Sequence, residues 1–127
     1  MTTFAEKART RAYAPYSKLQ VGAALWTGRH IYAGCNVENA SFGLTVCAER
    51  NALACAVAQG ERPEALVVLA QTPQPLVPCG ACRQVLLEFC TADLPVLCST
   101  LAGQRLSVRL GELLPLAFER GFLPSTP

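Results

Sequence analysis

The chain has 127 residues, 51% hydrophobic and 16% charged, with a net charge of +2. That fits one domain spanning 1–127 around one core and leaves no basic stripe for a phosphate backbone, so a small neutral ligand is expected before nucleic acid. The seven cysteines are an odd number and Met1 to Arg11 hold no apolar signal core, so a reducing cytoplasm fits better than a secreted disulfide scaffold. Every apolar run is broken by Glu, Arg, Pro or Gly short of a membrane span, and so little charge on a small chain predicts apolar surface covered by sister subunits.

Thr3 followed by Phe4-Ala5-Glu6-Lys7-Ala8 reads as an N-cap and an amphipathic helix. The helix should stop near Tyr13, because Pro15 disfavours helical geometry at Ala14. Val21 to Thr27 is apolar, Gly28-Arg29 is a turn, and His30 to Val37 resumes with β-branched and aromatic residues, which together make a hairpin. The polar run Asn36 to Ser41 follows at the strand end, where side chains meet a rim that suits ligand contacts; composition alone favours a turn with self-bonded Asn and Ser.

Cys47 to Gln59 is rich in Ala, Leu and Glu and ends at Gly60, the pattern of a buried helix with a C-terminal glycine. Ala65 to Ala70 is a strand, Gly80 to Cys90 a helix and Leu94 to Cys98 a strand, an alternation that argues a sheet with parallel members and helices on its faces. Leu106 to Leu110 adds a last strand and Glu112 to Phe118 a short helix broken by Pro115, before a frayed tail at 121–127.

The chemistry concentrates in Cys47-Ala48-Glu49-Arg50 and Pro78-Cys79-Gly80-Ala81-Cys82-Arg83-Gln84. All three cysteines sit near predicted helix N-termini, where the macrodipole favours the thiolate that binds metal. Three ligands leave one tetrahedral position of a zinc ion open, as in a catalytic site. Glu49 is two residues from Cys47, which puts it off the ligand face and suits it to the open side. There a carboxylate can take a proton from water on the metal and pass it to a substrate atom. Three thiolates outweigh a divalent ion, and Arg50 beside them can offset the excess by donating to sulfur. Without the cysteines, Arg50 would read as a surface residue.

Cys35, Cys55, Cys90 and Cys98 have no such grouping and read as small buried hydrophobes. His30, the only histidine, falls beside the hairpin turn, which excludes a histidine-dependent triad. Trp26 and Tyr32 read as packing residues.

With these residues the sequence resembles the small, homotetrameric, zinc-dependent cytidine deaminases. The likeness runs through Tyr13-Ala14-Pro15-Tyr16-Ser17, Val21-Gly22-Ala23-Ala24-Leu25, Gly34-Cys35-Asn36-Val37-Glu38-Asn39-Ala40, both cysteine motifs, and Glu112-Leu113-Leu114-Pro115 with Phe118. The resemblance implies a three-layer α/β/α sandwich around a mixed five-stranded sheet and one zinc ion per chain on Cys47, Cys79 and Cys82. It implies proton transfer by Glu49 during hydrolytic deamination of cytidine and 2′-deoxycytidine. It also makes Asn36 and Glu38 sugar contacts, against the turn reading from composition, and gives the Ala48 backbone a contact to the base. Phe118 would reach the base from a neighbouring subunit, with Phe42 near another shared contact. Where relatives commonly carry a phenylalanine against the pyrimidine this chain has Leu19, which predicts weaker binding or a shifted base preference; Val77 also departs from the usual small polar residue.

Four competing readings differ at particular residues. A deaminase of another aminated heterocycle, such as blasticidin S, would keep the zinc motifs but change the Asn36-Val37-Glu38-Asn39 segment. A structural zinc module needs a fourth ligand, from Cys55 or Cys90. Thiol redox chemistry at Cys79 and Cys82 leaves Cys47 and Glu49 without a role. Editing of nucleic acid needs a basic channel.

Overall fold

The apolar runs become five strands of one sheet in the computed structural model, which describes residues 1–124. The strands β1 (Val21–Trp26), β2 (Ile31–Cys35), β3 (Ala65–Ala70), β4 (Pro95–Thr100) and β5 (Arg105–Arg109) lie in the order β2-β1-β3-β4-β5. β3 and β4 run parallel and the other neighbours antiparallel, so the sheet is mixed, as the resemblance implied. Four α-helices pack on it: α1 (Thr2–Arg9), α2 (Ala48–Ala58), α3 (Gly80–Phe89) and α4 (Leu110–Leu113). A parallel pair needs a crossover, and α3 supplies it between β3 and β4.

The two-residue period of the strands divides the core. Val21, Ala23 and Leu25 of β1, with Leu66 and Val68 of β3 and Val96 and Cys98 of β4, meet Ala48, Ala52, Leu53 and Ala56 of α2, Leu86 of α3 and Leu110 of α4. Ala24, Val67 and Leu69 point to the opposite face, against Ala5 of α1. This makes three layers, α1, sheet, and the remaining helices. Leu25, Leu53, Leu66, Leu86 and Leu110 are fully buried, each contributing about 1.5–3 kcal/mol by removal from water.

Two glycines set how closely the outer layers approach. A Cβ at Gly22 would lie 1.9 Å from the Ala5 carbonyl oxygen, and one at Gly34 would lie 2.6 Å from both the Ala48 oxygen and the Ala52 nitrogen. No side chain fits in either place, so α1 seats directly on β1 and α2 directly on β2.

Element boundaries differ from the sequence reading for identifiable reasons. α1 is capped by Met1 without a side-chain bond and ends at Arg9, short of Tyr13. Tyr13 instead forms a parallel bridge with Val37, its N–H donating to the Asn36 carbonyl. β2 stops at Cys35 because Val37 pairs with Tyr13 and Val46 rather than with β1. The hairpin closes at Trp26 and Ile31, with Gly28 left-handed at φ +87° in the loop. β4 runs two residues past Cys98 and β5 starts at Arg105. α4 begins at Leu110, before Glu112, and is over by Leu113; Leu114 precedes Pro115 and leaves helical geometry.

Arg120–Phe122 forms a 3-10 turn that overlaps the start of the segment expected to fray; residues 125–127 of that segment lie outside the described residues. Cys98 is buried as expected, Cys35 and Cys90 are half-buried, and Cys55 is exposed, contrary to expectation. Trp26, at the end of β1, is also exposed. Among the described residues no helix is long and apolar enough to cross a membrane.

Candidate active site

Cys47 is the N-cap of α2 and Cys79 the N-cap of α3, both in extended geometry. Cys82 follows in the first turn of α3 and is fully buried. Helices α2 and α3 thus bring their positive ends to one place, where the backbone N–H groups of a first helical turn have no partner within the helix. The Cys47 and Cys79 sulfurs are 3.7 Å apart and those of Cys79 and Cys82 3.5 Å, and all three lie within 4.8 Å of one another. A tetrahedral zinc site with Zn–S bonds of about 2.3 Å has an S···S edge of about 3.8 Å, so this donor set fits the ion. Neither Cys55 nor Cys90 belongs to the group, which leaves a bound ion three protein ligands and argues against a closed structural site.

Charge around the sulfurs is unevenly shared. The bond that Cys82 donates, followed by the Arg50 guanidinium, brings the Cys47 thiol down to about 5. Cys82 is raised, by that same bond to Cys47, by burial and by the Glu49 carboxylate. A divalent cation between the sulfurs reverses this preference and deprotonates coordinating thiols outright. Arg50 places Nη2 3.6 Å from the Cys47 sulfur, and its bond to that sulfur holds the guanidinium charge still more firmly than usual.

Glu49 is only 3% exposed, with Oε2 3.8 Å from the Cys82 sulfur. Burial pushes its carboxyl up, and the negative charge on Cys47 adds to the effect. A carboxyl beside a metal cluster with a raised proton affinity is suited to receive a proton and return it. Ala48, between Cys47 and Glu49, is fully buried at the first position of α2.

The other sequence-predicted residues fall into two groups. Asn36 is buried with both ends of its amide engaged: Oδ1 accepts from the Val21 N–H at 2.8 Å and Nδ2 donates to the Leu19 carbonyl at 2.8 Å. Glu38 accepts from the N–H groups of Tyr16 and Ser17 at 2.9 and 3.1 Å and from the Ser17 hydroxyl. The Ser17 bond first, then those backbone donors, hold its carboxyl below the usual range. Leu19 is partly buried against the main core. Phe42 stands exposed in a 3-10 turn, edge-on to Tyr16 at 5.7 Å. Phe118 is in the C-terminal segment, exposed and stacked on Phe122 at 5.7 Å, while its carbonyl accepts from Gln84.

Two residues tied to this region had no role in the sequence reading. Ser17 holds Glu38 from 21 positions away. Arg83 donates from Nε to the Pro78 carbonyl at 2.6 Å and from Nη1 to the Leu113 carbonyl at 2.7 Å, joining the cysteine loop to the end of α4. The Ser17–Glu38 and Arg83–Leu113 bonds are long-range, and no local pattern signals them.

Residues 1–98 match the family described as the cytidine and deoxycytidylate deaminase zinc-binding region. The chain belongs to this family. Within it, a cytidine deaminase of Sporosarcina psychrophila is 49% identical over 117 residues, spanning 91% of this chain and 86% of the relative. One from Halalkalibacterium halodurans is 50% identical over 114 residues, spanning 88% and 86%. The crystal structure of cytidine deaminase from Burkholderia pseudomallei superposes with a TM-score of 0.87 at 48% identity, covering 91% of this chain and 94% of that one. The deaminase fold therefore extends across the sheet and both cysteine motifs.

Proposed function

We propose that this chain is a zinc-dependent cytidine deaminase, converting cytidine and 2′-deoxycytidine with water to uridine and 2′-deoxyuridine and releasing ammonia. The observation that carries the reading is the group of three cysteine sulfurs at two helix N-termini with the buried Glu49 carboxylate beside it. The residues that would hold zinc are Cys47, Cys79 and Cys82, and the ion supplies a water made acidic enough to attack at neutral pH. Glu49 would take one proton of the attacking water and give it to the ring nitrogen as oxygen bonds to C4. It would then carry the proton of the new C4 hydroxyl to the amine, so that the C4–N bond breaks, a carbonyl forms and ammonia leaves. Its raised proton affinity supports both halves of this transfer. Arg50 moderates the charge on Cys47. Asn36 and Glu38 hold the sugar, the Ala48 backbone contacts the base, and Leu19 packs near it. A site built to pair with sugar hydroxyls rejects ligands that lack them.

The chain forms one domain and assembles as a homotetramer with shared sites, Phe118 and Phe42 reaching across subunits. Support comes from the exposed apolar side chains of Phe42, Leu116, Phe118, Phe122 and Leu123 and from the low charge content. A cytoplasmic role in pyrimidine salvage fits seven free cysteines. The test is zinc content per chain together with ammonia release from cytidine, in the parent and in Glu49→Gln. One zinc per chain in both, with activity in the parent alone, is the expected result; zinc without turnover of cytidine by the parent refutes the substrate.

A further inference from the structure

Between α1 and β1 the chain makes a tight turn in which the Lys18 N–H donates to the Ala14 carbonyl at 3.1 Å and Lys18 itself takes a left-handed φ of +63°. This turn grips the segment after β2 at two points. Asn36 spans the Leu19 carbonyl and the Val21 N–H, and the Glu38 carboxylate receives the N–H groups of Tyr16 and Ser17 and the Ser17 hydroxyl.

The bonds to Glu38 are unequally divided between its oxygens. Oε1 takes both backbone donors, while Oε2 takes the hydroxyl alone. An ionised carboxylate offers about four acceptor positions, so three are filled and the fourth is on Oε2. The Ser17 oxygen in turn accepts from the Leu19 N–H at 3.1 Å, which turns the hydroxyl hydrogen away from that N–H and toward Glu38. Without the hydroxyl, the two backbone bonds still anchor Oε1 but leave Oε2 free to swing about it.

We infer that Ser17 is a positioning residue that aims Oε2 of Glu38 at a single sugar hydroxyl of the nucleoside, an inference that rests on reading Glu38 as a sugar contact. Ser17 touches no reacting atom. It acts on substrate binding through Glu38, and its removal weakens the ground state and transition state alike, which raises KM and spares kcat.

The test measures kcat and KM for cytidine and for 2′,3′-dideoxycytidine in the zinc-loaded parent, Ser17→Ala, Ser17→Thr and Glu38→Gln, with the thermal midpoint of each. For cytidine, Ser17→Ala raises KM about tenfold with kcat held within about twofold. Ser17→Thr, which keeps the hydroxyl, restores KM. On 2′,3′-dideoxycytidine, which lacks both secondary hydroxyls, the Ser17→Ala effect disappears; a merely structural role would raise KM for both nucleosides. A raised KM in Glu38→Gln with Ser17→Ala like the parent overturns the inference alone. A KM unchanged in Glu38→Gln overturns the sugar reading and the inference with it.

Discussion

Replacing Arg83 by alanine should loosen the metal loop without touching a ligand. The guanidinium donates to the Pro78 carbonyl, next to Cys79, and to the Leu113 carbonyl at the end of α4. Hydrogen bonds from a charged donor contribute about 1.5–3 kcal/mol each. Arg83 is partly exposed, so screening brings the pair to about 2–3 kcal/mol in total. For a chain of this size 1 kcal/mol moves the thermal midpoint by roughly 3–5 °C, and Arg83→Ala should lower it by about 10 °C. Because the lost bond at Pro78 frees the residue before Cys79, zinc should also pass faster to a competing chelator. Arg83→Lys, with one point charge in place of a planar fork, should fall between the two. Differential scanning calorimetry and a chromogenic chelator measure the two effects. A thermal midpoint within about 2 °C of the parent refutes the estimate, and a lowered midpoint with unchanged zinc release refutes the coupling to the metal loop.

Three further outcomes follow from other parts of the molecule. Bonds from Thr27 above all, then Tyr32 and His30, bring the Glu61 carboxyl from 4.5 down to about 2; folding therefore gains stability from its ionisation above pH 4.5 and loses it as pH falls toward 2. Glu61→Gln should flatten that acid limb in thermal midpoints recorded against pH, and an identical acid limb in both proteins contradicts the assignment. Leu19→Phe should lower KM for cytidine by roughly twofold to tenfold through an added aromatic face; a KM unchanged or raised opposes this. Removing zinc with a chelator should abolish ammonia release and lower the thermal midpoint, with both restored by zinc alone, and activity that survives complete zinc removal refutes the metal's role.

The cysteine motifs were legible because their spacing is local: Cys47 at the head of α2 and Cys79 with Cys82 at the head of α3 are each set within one turn of helix. The strands were legible because β-branched and apolar runs alternate with glycine and proline. What escaped the reading depends on partners far along the chain. Tyr13 leaves α1 to bridge Val37, and a helical pattern around Tyr13 cannot register that competitor. The exposure of Cys55 escaped for a different reason. α2 reads Ala-Glu-Arg-Asn-Ala-Leu-Ala-Cys-Ala-Val-Ala, and small apolar residues on nearly every side give no period from which to tell the buried face. Asn36 looked like a turn residue by composition, whereas its amide joins the segment before β1 to the end of β2. Ser17 and Arg83 were inside quoted motifs, yet their bonds span 21 and 30 residues.

The bare backbone at Gly34 carries a consequence for how tolerance to substitution maps onto this protein. The residue has no side chain, binds nothing and sits in a strand, yet any added carbon meets the Ala48 oxygen and Ala52 nitrogen at 2.6 Å. Those atoms belong to the same helical turns that carry Glu49 and Arg50 and that start at Cys47. An alanine at 34 must push α2 outward and carry one of three sulfurs away from the other two. A saturation screen for activity would thus rank position 34 among the chemically essential residues, and inspection of the reaction would give no reason for it. In this molecule the placement of the Glu49 carboxylate depends in part on an atom that the sequence leaves out.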